Sequence, residues 1–150
     1  MDDRVKPSWA IRVFGPLIFV LGSIAAFLWF FYRAYSIFIG ELAEVVVFDK
    51  GSFYMLGVGA GMLILAFVTV QEGWLDRQLS QAQSTFLTRL AVISVVLIIT
   101  VPHTIHYFAD DYLESEGYSV CQDASHQWLF VRNIVYVHEP VSCNENLIKN

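Results

Sequence analysis

The chain has 150 residues, of which 56% are hydrophobic and only 15% are charged. Soluble domains are typically about 45–50% apolar and about 25% charged, so this composition excludes a disordered chain and disfavours an ordinary soluble domain. The formal net charge of −5 disfavours a nucleic-acid-binding protein, which usually carries a basic patch, and the leading class is a small membrane protein.

Three long stretches contain no Asp, Glu, Lys or Arg: residues 13–32, 51–71 and 90–109. A helix of about 20 residues spans roughly 30 Å, which is the hydrocarbon thickness of a bilayer. The strands of a membrane barrel need only about 9–11 residues of alternating polarity, and these stretches are longer and uniformly apolar. The sequence therefore predicts three transmembrane helices. Pro102 leaves open whether the third span ends there or continues to Ala109.

The distribution of basic residues predicts the orientation of the spans. With the N-terminus inside, the cytoplasmic segments 1–12 and 72–89 hold five basic residues in 30 positions. The outer segments 33–50 and 110–150 then hold four in 59 positions. Basic residues near span ends favour the cytoplasm. We therefore expect a multi-pass protein of a bacterial inner membrane, with a cytoplasmic N-terminus and a periplasmic C-terminus.

Two features of the spans suggest contacts. Gly57 and Gly61 form a small-xxx-small pair that lets helices approach closely, either within the chain, against a partner's helix or in a homo-oligomer. His103, His106 and Asp110 share one face of a helix by their spacing and are candidate metal ligands. The alternative is a polar turn of helix at the membrane interface. We expect no bound metal and no cofactor.

The outer segments predict a small folded cap. Residues 44–49, 118–121 and 128–137 have strand-like composition, with residues 128–137 forming either a strand pair or one strand broken at Arg132–Asn133. Residues 122–127 and Gly117 are predicted turns. Cys121 and Cys143 both lie in the tail, which suits a disulfide in an oxidising compartment, although two free thiols are the alternative. The expected fold is three membrane helices carrying a disulfide-bonded, β-containing exterior cap.

The tail carries the whole net charge, with seven acidic and two basic residues in 110–150. Four of the acidic residues, which could attract a basic partner or simply be solvated, are Asp110, Asp111, Glu114 and Glu116. The sequence contains no G-x-S-x-G, H-E-x-x-H or C-x-x-C motif and no phosphate-binding glycine loop. The three spans also contain no Asp, Glu, Lys or Arg, which pumps and ion-coupled carriers usually need. We expect a chain that embeds in a lipid bilayer and binds a protein partner, and that is neither an enzyme nor a nucleic-acid binder.

The layout of the chain resembles that of a known family. Three spans precede a short tail, in which Gly117 and Tyr118 come just before Cys121 and Cys143 lies near the end. This pattern resembles short inner-membrane proteins of unknown function from enterobacteria and their relatives. Such proteins are similar to immunity proteins, which are encoded beside secreted antibacterial toxins.

The resemblance implies that this chain neutralises a toxin of a type VI secretion system or a bacteriocin. The contact would be made at the membrane or in the periplasm, through the cap, the helices or both. No residue role carries over from the family. The alternative function is that of a structural or assembly subunit of a larger membrane complex.

Overall fold

The computed structural model describes residues 8–128, 131–144 and 147. Its elements in chain order are α1 (Trp9–Phe38), β1 (Val45–Asp49), α2 (Lys50–Phe53), α3 (Met55–Val68), a π-helical segment (Thr69–Trp74), α4 (Gln81–Ser115), β2 (Tyr118–Trp128) and β3 (Val131–His138). Three helical stretches among the described residues are long and apolar enough to cross a membrane: Trp9–Phe38, Lys50–Trp74 and Gln81–Ser115. They indicate a membrane protein and fit the predicted helical fold.

Each of these three helical stretches extends beyond its charge-free window, because helical hydrogen bonding continues where the chain leaves the lipid. The largest extension is in α4, which begins nine residues before position 90 and runs through Pro102 to Ser115. Its start is fixed by a capping box, in which the Ser80 hydroxyl accepts from the Gln83 backbone N–H and the Gln83 side chain accepts from the Ser80 N–H. Much of the predicted loop 72–89 is therefore helical.

Helix α3 packs against both α1 and α4. Gly57 is buried, and a Cβ atom built on it would lie 2.5 Å from Cγ1 of Ile98 and 2.6 Å from the Ser94 carbonyl oxygen. Only a glycine allows α3 and α4 to approach this closely at that point. A Cβ atom on Gly61 would meet nothing within 4 Å. The two glycines therefore do not share one contact, and Gly57 is the one that packs against α4.

The contact between α3 and α1 uses a different glycine. The buried Ser23 hydroxyl of α1 donates a hydrogen bond of 2.8 Å to the carbonyl oxygen of Gly59. A Cβ atom on Gly59 would lie 3.1 Å from the Phe27 ring, so this glycine also permits a close approach. A hydroxyl group that bonds to a backbone carbonyl across a helix pair is a common way to bury polarity inside a membrane.

The strands form one antiparallel sheet in the order β1-β3-β2. Val47 pairs with Val135, and Cys121 pairs with Val135 from the other side. The expected sheet between the loop after α1 and the tail is thus present. Two details differ. Residues 122–127, predicted as a turn, lie within β2, whose pairing with β3 is irregular between Cys121 and His126. Arg132 and Asn133 lie inside β3, so the strand is not broken there.

Alternation along the strands gives the sheet two apolar faces. The inner face contributes Phe48, Ile134 and Tyr136 to a core completed by helix residues. Those helix residues include Phe30, Ile37, Phe53, Ala109 and Leu113. The outer face contributes Val135, Val137 and Cys121 to a second cluster, against which Val141 and Leu147 pack. The cap, which comprises β1, β2, β3 and residues 139–144, is therefore seated on the helix ends.

The expected disulfide between Cys121 and Cys143 is formed. It ties residues 139–144, after β3, to the outer face of the sheet, where Cys121 is fully buried. Gly117, which connects α4 to β2, has a φ of +86°, a conformation that glycine adopts without steric cost. The predicted turn at Gly117 is confirmed.

The two span glycines provide a matched test of helix packing. Gly57→Ala is expected to lower the free energy of unfolding by about 1–3 kcal/mol, because α4 must move away to admit the methyl group. Gly61→Ala, in open space, is expected to leave it unchanged or to raise it by up to about 1 kcal/mol, because alanine favours a helix more than glycine does. Unfolding of the full chain in bicelles measures both values. Equal effects at the two positions would contradict the packing described here.

Candidate functional site

The junction between the cap and the helix ends holds several polar groups that are joined by hydrogen bonds. On the α1 side, the indole Nε1 of Trp29 donates to the Ser52 hydroxyl over 2.9 Å, and that hydroxyl donates to Asp49 Oδ2 over 2.6 Å. The other carboxylate oxygen of Asp49 accepts from the Gly51 N–H over 2.8 Å. The carboxylate thus caps α2 and, through Ser52, links it to α1.

Arg33 extends this contact from α1 to the sheet. Its Nη2 atom donates a hydrogen bond of 2.9 Å to the carbonyl oxygen of Val47 in β1. Because β1 is an edge strand, that carbonyl faces away from β3, and the guanidinium group occupies part of the open edge. Within the described residues, two buried polar atoms have no hydrogen-bond partner, namely Nε of Arg33 and Oδ1 of Asn133.

On the α4 side, a hydrogen bond joins the cap to the helix. The hydroxyl of the fully buried Tyr136 donates to Oδ1 of Asp110 over 2.8 Å. Burial raises the pKa of Tyr136 far above its ordinary value of 10.0, and the hydrogen bond and the negative charge of Asp110 raise it further. Tyr136 therefore stays protonated and keeps its role as a donor at physiological pH.

The irregularity in β2 is held by the Ser125 side chain. Its hydroxyl accepts from the Val135 N–H over 3.1 Å and donates to the carbonyl oxygen of Cys121 over 2.7 Å. The hydroxyl thereby stands between two backbone groups that a regular ladder would pair directly. The bulge leaves Gln122 and Asp123 exposed at the strand edge.

The four predicted acidic residues do not form one equivalent patch. Asp111, Glu114 and Glu116 are exposed, whereas Asp110 is half-buried and binds Tyr136. Asp110 is thus part of the structural connection between α4 and β3. The three exposed carboxylates remain available to a basic partner.

The three candidate metal ligands each contact a different group and do not converge on one point. His103 is exposed, and its Nδ1 atom lies 2.8 Å from the carbonyl oxygen of Ile99. The His106 ring packs against Phe48, with centroids 5.4 Å apart, and Asp110 binds Tyr136. Among the described residues, no three His, Cys, Asp or Glu side chains are grouped to hold a metal ion.

An apolar cleft lies between α3 and α4 at the opposite end of the helices, with a volume of about 280 Å³. It is lined by Leu63, Ile64, Phe67, Gln83, Phe86, Leu87 and Leu90. None of these side chains ionises, so the cleft offers no group for acid–base chemistry.

Sequence reasoning missed the hydrogen bonds of Trp29, Arg33 and Ser125. Trp29 bonds to a residue 23 positions away and Arg33 to one 14 positions away, and no local sequence motif predicts either contact. Asp49 was recognisable, because an Asp just before a helix is a frequent N-cap. The π-helical segment Thr69–Trp74 also carries no such signal.

Tyr136→Phe is expected to lower the free energy of unfolding by about 1–3 kcal/mol, because it leaves Asp110 without its donor. Thermal unfolding of the full chain in detergent measures this change. Tyr107→Phe is the matched control, because Tyr107 is 72% exposed and should tolerate the loss of its hydroxyl group.

The same pair of variants tests the pKa direction. The unfolded-state hydroxyl titrates near pH 10, below the raised folded-state pKa, so its stabilising effect is complete below about pH 10 and is lost as the pH rises further. Tyr136→Phe should therefore reduce the alkaline loss of stability, and Tyr107→Phe should not. An unchanged alkaline profile in Tyr136→Phe would contradict the assignment.

Comparison with known proteins returns one family. No curated protein matches the chain, and no solved structure does. A family model described as a protein of unknown function, DUF1240, matches residues 46–144. The matched region begins in β1 and includes the second and third helices, most of the cap and both cysteines. The chain therefore belongs to the DUF1240 family of proteins of unknown function.

Proposed function

We propose that this protein is a non-enzymatic binding protein of the bacterial inner membrane, and that it is an immunity protein against a secreted antibacterial toxin. The observation that carries the proposal is the shared core, in which Phe48 and Tyr136 of the cap pack with Phe53 and Leu113 of the helices. A cap fixed in this way presents a rigid surface, and rigid surfaces lose little conformational entropy on binding.

The charge of the cap and of the adjoining end of α4 favours a cationic contact region on the partner. Exposed Asp111, Glu114 and Glu116 lie at the end of α4, and Asp123 lies exposed in the β2 bulge. Arg132 is the exposed basic side chain of the cap. A surface of this sign attracts basic proteins and accelerates their encounter.

The proposed placement has the N-terminus in the cytoplasm and the cap in the periplasm. The cysteine pair supports it, because disulfides form and persist in the oxidising periplasm. Exposed aromatic rings bear on the depth of α1 in the bilayer and not on its orientation. Trp9 and Trp29 are separated by about 30 Å of helix, which is the distance between the two interfaces where such rings collect.

The second candidate is a structural or assembly subunit of a larger membrane complex. It is favoured by the lipid-facing surface of α4, most of which packs against none of the other elements that the structure describes. Purification from native membranes separates the two candidates. A subunit would bring a stable partner without any toxin, whereas an immunity protein would be recovered alone until toxin is added.

Cells that lack this protein and retain the neighbouring toxin gene are expected to become sensitive to toxin from sibling cells. Competition assays between the deletion strain and its parent measure the effect, and the wild-type chain should restore survival. Full survival of the deletion strain beside an intact toxin producer would contradict the proposal.

Charge reversal tests whether the acidic end of α4 takes part. In the competition assay, cells carrying the double variant Asp111→Lys with Glu116→Lys are expected to survive at least about tenfold less well than cells carrying the wild-type chain. The reason is that like charges across an interface cost several kcal/mol. Glu72→Lys is the matched control, since Glu72 is also exposed but lies at the opposite end of the helices. Equal protection by all three chains would exclude an acidic contact.

A further inference from the structure

The face of α4 that points away from α3 changes character along its length. Near its start and middle it carries Val92, Ile93 and Val96, all exposed. Towards the cap it becomes polar, although it packs against no other described element. We call these residues, all of them exposed, the outward face of α4: Thr100, His103, Thr104, Tyr107, Asp111 and Glu114. Their spacing of three or four places them on one side of the helix, opposite the buried Pro102, Ala109 and Leu113.

Part of the outward face lies at membrane depth. The charge-free stretch 90–109 of α4 corresponds to about 30 Å of helix, and exposed Tyr107 lies near its cap-side end. That length matches the hydrocarbon thickness of a bilayer, at whose interfaces Tyr rings collect. Thr100, His103 and Thr104 then lie in the outer leaflet, and Asp111 and Glu114 lie above it.

The hydrogen bonds of these side chains are incomplete. Thr100 satisfies its hydroxyl by donating to the Val96 carbonyl oxygen over 2.9 Å. His103 donates from Nδ1 to the Ile99 carbonyl oxygen, which can only accept, and in the neutral ring this leaves Nε2 as an acceptor. In the described part of the chain, neither Nε2 of His103 nor the Thr104 hydroxyl has a partner. Polar groups inside a membrane usually face another protein surface.

We infer that the outward face of α4 binds a transmembrane helix of another protein. That helix would carry a hydrogen-bond donor in the outer leaflet and Lys or Arg just outside it. The donor would meet Nε2 of His103, and the basic residues would meet Asp111 and Glu114. This inference rests on the proposed function, since it specifies the partner that a membrane-embedded binding protein would take.

Charge decides against the other occupants. A second copy packed in parallel would bring Asp111 and Glu114 against the same carboxylates, and His103 Nε2 against another acceptor. An anionic lipid headgroup would meet the same repulsion. A basic partner helix is the occupant that satisfies both the acceptor in the membrane and the carboxylates above it.

The test uses the full chain in phosphatidylcholine vesicles, labelled for energy transfer to synthetic leucine-rich transmembrane peptides. The probe peptide has one Asn in its outer-leaflet turn and two Lys beyond it. Replacing the Asn by Leu, or the Lys residues by Glu, gives two matched peptides. We expect the probe peptide to associate with the chain, and both matched peptides to associate more weakly.

Variants of the chain locate the contact. His103→Leu is expected to weaken binding of the probe peptide about 3–20-fold, and this loss should not add to the loss caused by replacing the peptide Asn. His103→Gln retains an acceptor and should bind nearly as the wild type does. Asp111→Asn with Glu114→Gln should weaken binding of the Lys peptide but not of the Glu peptide. Thr88→Leu, exposed near the start of α4, is the control and should change nothing.

Two results would overturn the inference: unchanged peptide binding in His103→Leu, or energy transfer between copies of the chain that His103→Leu abolishes. The second result would assign the face to a homo-oligomer. If peptides fail to bind while the cell assay shows protection, the proposed function stands and recognition lies elsewhere, for example in the cap. If peptides bind as expected but the chain gives no protection in cells, helix binding by the outward face of α4 is supported and the immunity role fails.

Discussion

The cap depends on a core that it shares with the helix ends. Three short strands cannot bury enough apolar surface to be stable alone, so one face of the sheet must pack against something else. Phe48 and Tyr136 find that surface on Phe53, Ala109 and Leu113. The position of the sheet therefore follows from where the helices end, and α4 must extend to Ser115 to supply its part of the core.

Most polar groups described at this junction are paired, because a polar group that the core shields from water costs free energy unless it is hydrogen-bonded. Trp29, Ser52 and Asp49 form one chain of hydrogen bonds, and Tyr136 with Asp110 forms another. Each joins a helix to the segment that follows or covers it. Apolar packing brings the elements together without a strong directional preference, and these hydrogen bonds fix the angle at which they meet.

The outer face of the sheet is stabilised differently. None of the described helices covers it, and its Val135 and Val137 are covered by the segment that Cys143 ties back to Cys121. The two cysteines are 22 positions apart, and closing a loop of that length stabilises a fold by about 3 kcal/mol in the chain-entropy model. The cap thus uses helix packing on one face and a covalent tie on the other.

The sequence predicted the parts of this fold that depend on composition and local pattern. Charge-free windows located the three helices, strand-like residues located β1, and the two tail cysteines were assigned as a pair. The sequence did not predict where α4 begins and ends, because hydropathy marks lipid contact rather than helical hydrogen bonding. It also treated Gly57 with Gly61 as one site, and the four acidic residues Asp110, Asp111, Glu114 and Glu116 as another. Within each set, only the packing of distant residues decides which members contact the chain itself and which are left for a partner.

That distinction bears on recognition. Gly57 and Asp110 are used internally, so a substitution at either changes the whole molecule and is a poor probe of binding. Asp111 and Glu114 project from the same helix but bind nothing in the described structure, and they stand directly above the polar turn at His103. Because α4 also carries Leu113 and Ala109 of the shared core, a partner helix bound along its outward face would contact the same rigid element that supports the cap. The surface in the membrane and the surface at the cap would then belong to one rigid unit. A partner that bound both would lose little conformational entropy in aligning them.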